Sequence, residues 1–140
     1  IFVMTNILYA PPEEEISKLL YMIGQPARIQ ILIVLGGQEA CVCHLETALG
    51  MRQASISQHL MVLRKAGLVT SKRDGRNIFY HLTRPEVVDV LKQTALLTGS
   101  SPDALDALMV RPVPNCPCPQ CNPGLDPKLT CQNARIKKSS

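Results

Sequence analysis

The sequence has no tryptophan, only two phenylalanines and three tyrosines, and only three histidines in 140 residues. So few aromatic side chains argue against a stacking platform for single-stranded nucleic acid. The few histidines, and the lack of a glycine-rich phosphate loop or a nucleophile–base pair, argue against an enzyme. No apolar run approaches the ~20 residues that cross a bilayer. Residues 1–6 lack the basic opening of a secretory signal, so we expect a cytoplasmic protein with reduced thiols.

Cysteine is present in two short islands. Five of the six cysteines lie in Cys41-Val42-Cys43 and in Cys116-Pro117-Cys118-Pro119-Gln120-Cys121. In a reducing compartment such tight spacings favour ligation of a metal ion or an iron–sulfur cluster over disulfide bonds. The formal net charge of +4 and the pI of about 8.8 are compatible with attraction to a phosphate backbone.

The sequence predicts three parts: an N-terminal arm (1–12), one domain (13–100) and a Cys/Pro-rich tail (101–140). Apolar residues at helical spacing predict helices at 13–24, 26–37, 44–49, 54–66, 84–98 and, shorter, 103–110. Asp74-Gly75 between two alternating runs predicts a hairpin of strands 68–73 and 76–82. We expect Thr83 to cap the helix 84–98. The prolines from Pro112 onward exclude a long helix in the tail.

Two short helices joined by a tight turn, followed by a basic hairpin, are typical of a winged helix-turn-helix. The predicted fold is therefore mainly α with a small β-hairpin. The second helix of the pair would enter the major groove of double-stranded DNA, and the hairpin would contact the phosphate backbone. The candidate DNA contacts are Arg52, Gln53, Ser55, Ser57, Gln58, His59, Arg64, Lys72, Arg73 and Arg76. We expect a homodimer, because two half-sites need two copies, with helices 13–24 and 84–98 as candidate interfaces.

Residues 13–98 resemble the ArsR/SmtB family of bacterial metal-sensing repressors. The matching segments are Gly24–Leu32, Cys41–Leu45, Ser55–Val69, Arg73–Arg76 and Tyr80. The resemblance implies a homodimeric winged helix-turn-helix repressor that binds an inverted repeat and leaves it when an inducer binds. Members with Cys-Val-Cys at this place ligate arsenite, antimonite, cadmium or lead.

The sequence departs from the family pattern at two places. The third cysteine of common arsenite sensors is replaced by Glu46, and residues 86–98 contain no histidine for a zinc site of the carboxylate–histidine type. Soft ions prefer several thiolates, so we predict an inducer site of Cys41, Cys43 and at least one of Cys116, Cys118 and Cys121. Zinc is a further possible ion. We expect His44 and Cys131 to lie outside this site.

Other interpretations of the cysteines stay open. Cys41 and Cys43 could be buried packing residues, and the tail cysteines could be an incidental thiol cluster. Four thiolates could hold an iron–sulfur cluster, which would make the protein a redox-sensing repressor. A thiol–disulfide switch is a further alternative. A metal-carrying protein that uses the tail alone is the alternative of another class.

Overall fold

Four helices precede a two-stranded hairpin, and two follow it, in the computed structural model, which describes residues 10–126 and 129–131. The helices are α1 (Pro12–Ile23), α2 (Pro26–Gly37), α3 (Val42–Leu49), α4 (Gln53–Lys65), α5 (Val87–Leu97) and α6 (Asp103–Asp106). The strands are β1 (Val69–Asp74) and β2 (Asn77–Leu82), and a 3-10 turn (Ala107–Met109) follows α6. The mainly α fold with one small hairpin is confirmed.

Helix α2 is the centre of the core. Five consecutive residues, Ile31 to Leu35, are buried, so every side of this segment meets another element. Around it pack apolar residues from three other helices: Leu45 from α3, Ile56, Leu60 and Leu63 from α4, and Val87 and Leu91 from α5. One cluster therefore joins the helix-turn-helix to the helices on either side of it.

Helices α3 and α4 form the helix-turn-helix. Gly50 ends α3 with φ +63°, a left-handed conformation that a residue without Cβ adopts at little cost. Helix α4 buries Ile56, Leu60 and Leu63 along one stripe, which leaves its other face exposed. We call α4 the recognition helix.

The wing is the antiparallel hairpin β1–β2, in which Val69 pairs with Leu82 and Asp74 with Asn77. Gly75 and Arg76 are the two turn residues, so the turn lies one residue later than Asp74-Gly75. Ala40, just before the first cysteine island, also pairs with Tyr80 of β2. The Ala40 N–H donates to the Tyr80 carbonyl (3.0 Å) and the Tyr80 N–H to the Ala40 carbonyl (2.8 Å). The wing is thus tied directly to the residue that precedes Cys41.

One local prediction was wrong. Thr83 does not cap a helix: its hydroxyl donates to the Gly67 carbonyl, and α5 begins only at Val87. The short helix predicted at 103–110 is present as α6 followed directly by the 3-10 turn, and it ends one residue early because Val110 has an extended backbone.

The first part of the predicted tail packs on the domain. Leu105, Leu108 and Met109 contact the main core, and Met109 lies against Gly37 at the end of α2. Of the predicted arm, residues 1–9 lie outside the described residues.

Within the described residues, no single helix is long and apolar enough to cross a membrane. Only α1 and α2 taken together reach the required length and composition, and they are bent by 91° with respect to each other.

Candidate metal centre and nucleic-acid interface

The first cysteine island lies at the start of α3. Cys41 is the residue before the helix, with an extended backbone, and Cys43 and His44 are in its first turn. All three side chains are buried. A helix turns by about 100° per residue, so consecutive residues point in different directions. Cys43 and His44 accordingly belong to two different groups of potential ligands.

The first group, the three-sulfur cluster, contains Cys41, Cys43 and Cys131. The Cys41 Sγ lies 2.8 Å from the Cys43 Sγ and 3.4 Å from the Cys131 Sγ. The Cys43 and Cys131 sulfurs are at disulfide-bonding distance, with their Cα atoms 6.0 Å apart. All three residues are buried. Three thiols this close can bind a thiophilic ion when reduced, or store a disulfide when oxidised.

A pocket opens beside the three-sulfur cluster, between α3, the start of the recognition helix and the wing. The three cysteines supply part of its lining. The remaining lining residues are Val42, Gln53, Ser57, Arg73, Arg76, Asn77, Ile78 and Tyr80. A small solute can therefore reach the sulfurs through a space shared with predicted DNA-binding side chains.

The second group, the Cys3His cluster, contains His44, Cys116, Cys118 and Cys121. The Nδ1 atom of His44 lies 3.5 Å from the Cys116 and Cys118 sulfurs and 3.4 Å from the Cys121 sulfur. The four ligand atoms all lie within 4.8 Å of one another. His44 is fully buried, and its Nε2 has no hydrogen-bond partner among the described residues.

The tail loop that carries these cysteines is held by hydrogen bonds to its own backbone. The Cys121 N–H donates to the Cys118 sulfur (3.3 Å), and the Val113 N–H donates to the Cys121 sulfur (3.4 Å). The Asn122 side-chain amide donates to the carbonyls of Cys116 (2.7 Å) and Cys118 (2.9 Å). Earlier in the tail, the Arg111 guanidinium donates to the carbonyl of Gln38 (2.9 Å), which lies in the connection between α2 and α3.

The Cys118 thiol has a lowered pKa. Hydrogen bonds from the Cys116 and Cys41 thiols lower the pKa of Cys118 far below its usual range, outweighing the effect of burial. The same contact with Cys118, followed by burial, raises the pKa of Cys41 and that of Cys116. A metal ion bound by these groups would therefore displace the protons that the neighbouring thiols retain.

The structure divides the predicted cysteine ligands between two clusters. Cys41 and Cys43 lie together, whereas the three tail cysteines surround His44. The clusters are neighbours, since all six cysteines belong to one packed group and Cys41 contacts Cys118. His44 and Cys131, which we expected to lie outside the site, are members of the two clusters. His44 could have been identified from the sequence, because the three tail cysteines need a fourth ligand to complete a tetrahedral metal site. No local pattern marks Cys131.

The predicted DNA contacts lie on the recognition helix, on the residue before it and on the wing. Nine of the ten are exposed, and only His59 is half-buried. The Arg28 Nε donates to the His59 Nδ1 (3.2 Å), so one ring nitrogen is already engaged within the protein. Burial, and then the charge of Arg28, lower the pKa of His59. The neutral ring also links α2 to the recognition helix.

Comparison with known proteins agrees with this architecture. Residues 25–71 match the family model described as "Bacterial regulatory protein, arsR family". The chain is 42% identical over 94 residues to the HTH-type transcriptional repressor SmtB of Mycobacterium tuberculosis, covering 64% of this chain and 70% of that protein. The chain belongs to the ArsR family.

Other ArsR-family relatives show the same pattern. The arsenic resistance transcriptional regulator ArsR1 of Pseudomonas putida is 41% identical over 85 residues, covering 56% of this chain and 65% of that protein. The crystal structure of the transcriptional repressor BigR from Xylella fastidiosa is similar with a TM-score of 0.57 and 30% identity, covering 61% of this chain and 87% of that one. These relatives are regulators of transcription, which confirms the prediction of a non-enzymatic, winged helix-turn-helix repressor.

Proposed function

We propose that this ArsR-family repressor binds operator DNA as a cytoplasmic homodimer and releases it when a thiophilic ion, arsenite or antimonite above all, binds the three-sulfur cluster. Cadmium and lead are further candidate ions. The observation that carries the proposal is that the thiols of Cys41, Cys43 and Cys131 meet beside a pocket that the recognition helix and the wing also line. Glu46 stands where the common arsenite sensors have a third cysteine. In this proposal Cys131 of the tail supplies the third sulfur instead.

The donor set fits a soft ion. Three buried sulfurs within 4.8 Å of one another offer the thiolate environment that arsenite, cadmium and lead prefer. The bound ion would join the tail to the start of α3, since Cys131 comes from the tail and the other two sulfurs from the start of α3.

The route from the ion to DNA is short. Cys41 follows Ala40, whose backbone is hydrogen-bonded to Tyr80 of the wing. Cys43 is in the helix that packs against the recognition helix. A shift of the Cys41–Cys43 segment would therefore change the position of the wing and of the recognition helix. A coupling of ~1–3 kcal/mol, typical of allostery, corresponds to roughly 5–150-fold weaker DNA binding.

A homodimer is supported by apolar side chains on the outer faces of α1 and α5. Tyr21 is 83% exposed and Leu97 is 88% exposed, and Ile16, Leu20, Val90 and Leu96 are each about half-exposed. Side chains of this kind on helices that flank a DNA-binding unit are expected to be buried by a second copy. Two recognition helices would then face two half-sites of an inverted repeat.

The test is DNA release by a defined ion. Fluorescence anisotropy of a labelled promoter fragment from the protein's own operon would follow binding by the wild type, Cys41→Ser/Cys43→Ser and Cys131→Ser. We expect all three proteins to bind, and arsenite to weaken only the wild type by roughly 5–150-fold. Titration of the wild type with Mg²⁺, which prefers oxygen ligands, is the control and should leave DNA binding unchanged. Undiminished release from Cys41→Ser/Cys43→Ser would refute the proposal.

A thiol–disulfide switch is the second candidate, favoured by the 6.0 Å separation of the Cys43 and Cys131 Cα atoms, which suits a disulfide. Formation of this disulfide would pass two electrons and two protons to a peroxide-class oxidant, and a dithiol would reverse it. DNA release by peroxide in metal-free protein, reversed by dithiothreitol, would favour the switch. An iron–sulfur cluster is separated from both candidates by the brown colour and iron content of anaerobically purified protein.

A further inference from the structure

The Cys3His cluster shares no ligand with the inducer site proposed above. It brings together one imidazole nitrogen from α3 and three sulfurs from a loop more than seventy residues later in the chain. The sulfurs of Cys116 and Cys118 are buried, and that of Cys121 is partly buried. Four potential metal ligands from such distant parts of the sequence lie together, which indicates a binding site for a metal ion.

The spacing of the donors fits a tetrahedral zinc ion. Zn–S bonds of about 2.3 Å and a Zn–N bond of about 2.0–2.1 Å give nitrogen–sulfur edges of about 3.6 Å in a tetrahedron. The three observed distances from His44 Nδ1 to sulfur are 3.5, 3.5 and 3.4 Å. Four protein ligands leave no open position, which is the arrangement of structural rather than catalytic zinc sites.

The surroundings of the cluster also suit a metal-bound thiolate loop. The Cys121 N–H points to the Cys118 sulfur, and the Val113 N–H points to the Cys121 sulfur. Backbone N–H groups directed at sulfur stabilise the thiolate form that a metal ion needs. The Asn122 side-chain amide donates to both the Cys116 and the Cys118 carbonyl, which holds the backbone between the two cysteines in a compact turn.

We propose that His44, Cys116, Cys118 and Cys121 hold a resident zinc ion, which anchors the tail to α3 and so presents Cys131 to Cys41 and Cys43. The zinc site stands on its own geometry, whereas its role in presenting Cys131 rests on the proposed function. Residues 110–126 of the tail form no helix or strand, so a bound metal ion would supply cross-links that regular structure does not provide there.

The test is the metal content and cobalt spectrum of the full-length protein. Zinc per chain would be measured by mass spectrometry in protein purified without chelator. The site would then be loaded with Co²⁺, whose visible bands report tetrahedral geometry and whose near-ultraviolet band reports bound sulfur. The variants are Cys118→Ser and His44→Cys, and the matched control is Cys41→Ser/Cys43→Ser/Cys131→Ser, which removes three sulfurs next to the site and none within it.

We expect one zinc ion per chain in the wild type and in the triple-serine control, with a tetrahedral cobalt spectrum in both. Cys118→Ser should lose the zinc ion or bind it at least tenfold more weakly. His44→Cys should retain zinc and raise the sulfur-to-cobalt band by about a third, because a fourth thiolate joins three. That variant keeps the test decisive if Cys118→Ser fails to fold.

Three results would overturn the proposal: zinc retained at full affinity by Cys118→Ser, zinc lost from the triple-serine control, or a cobalt band unchanged by His44→Cys. Loss from the control would mean that the two clusters form a single shared site. DNA release by arsenite is measured separately. Failure of release with the zinc ion in place would remove the inducer proposal alone.

Discussion

Adjacent residues with different partners set the chemistry of this protein. Cys43 belongs to the three-sulfur cluster and His44, the next residue, to the Cys3His cluster. Because they are consecutive residues of one helix, a shift of the backbone at Cys43 displaces His44 as well. An ion bound by Cys43 would therefore act on a residue that is already held in place by the second cluster.

The first prediction concerns the proton equilibrium of His59. Its pKa is lowered by burial and then by Arg28, so the unfolded chain binds the proton more readily than the folded one. The stability present above the ordinary pKa of about 6.5 should be lost as pH falls through the lower folded value. His59→Gln cannot titrate but retains an acceptor for Arg28. Between about pH 7.5 and about pH 5.5, urea unfolding should show a larger loss of stability in the wild type than in His59→Gln. An equal loss in both proteins would contradict the assignment.

At the scale of elements, the wing is joined to the segment that carries the first cysteine island by a pair of backbone hydrogen bonds. Ala40 pairs with Tyr80 in the middle of β2, and Cys41 follows immediately. A displacement of Cys41 is therefore expected to shift the wing through the Ala40–Tyr80 pair.

The second prediction tests the wing as a phosphate-binding element. Arg73 and Arg76 are exposed at the hairpin tip. Arg73→Ala/Arg76→Ala should weaken binding to all DNA sequences and reduce the slope of log affinity against log salt by about 1–2, one for each phosphate contact. Lys18→Ala on α1 is the control, since it removes charge away from the predicted DNA face. An unchanged slope in the wing variant would show that the wing does not contact phosphates.

The third prediction tests the packing of α2 against α5. A Cβ atom at Gly36 would lie 2.5 Å from the Val88 Cγ2, closer than any van der Waals contact allows. Gly36→Ala should destabilise the fold by about 1–3 kcal/mol in urea unfolding. Val88→Ala removes the obstructing methyl groups, so Gly36→Ala should cost much less in that background. Equal costs in the two backgrounds would show that the helices separate to accommodate the methyl group.

At the scale of the whole molecule, the outer faces of α1 and α5 should form the dimer interface. The fourth prediction is that Leu97→Glu yields monomers in sedimentation and weakens operator binding by tenfold or more, since burying an unpaired carboxylate costs several kcal/mol. Val110→Glu is the control, because Val110 is also exposed, at 64%, but lies beyond the 3-10 turn. Leu97→Glu remaining dimeric would place the interface elsewhere.

Much of the architecture could be predicted from the sequence, because its signals are local. The spacing of Ile56, Leu60 and Leu63 gave the recognition helix, and Gly75 gave the wing turn to within one residue. The partition of the cysteines could not be predicted in this way. It depends on how a tail without regular structure folds back onto α3, and no periodicity encodes that path. The predicted capping role of Thr83 was wrong for a related reason. Its hydroxyl donates to the carbonyl of Gly67, sixteen residues earlier, and a local pattern does not indicate such a distant partner.

The pocket beside the three-sulfur cluster has a consequence for the timing of a response. Gln53, Ser57, Arg73 and Arg76 line it, and they are also the side chains expected to face the operator. A repressor seated on its promoter would cover the entrance to its own sensor. The ion would then bind only while the repressor is dissociated from DNA. The rate of induction would rise with ion concentration only until it equalled the rate at which the repressor dissociates spontaneously from the promoter.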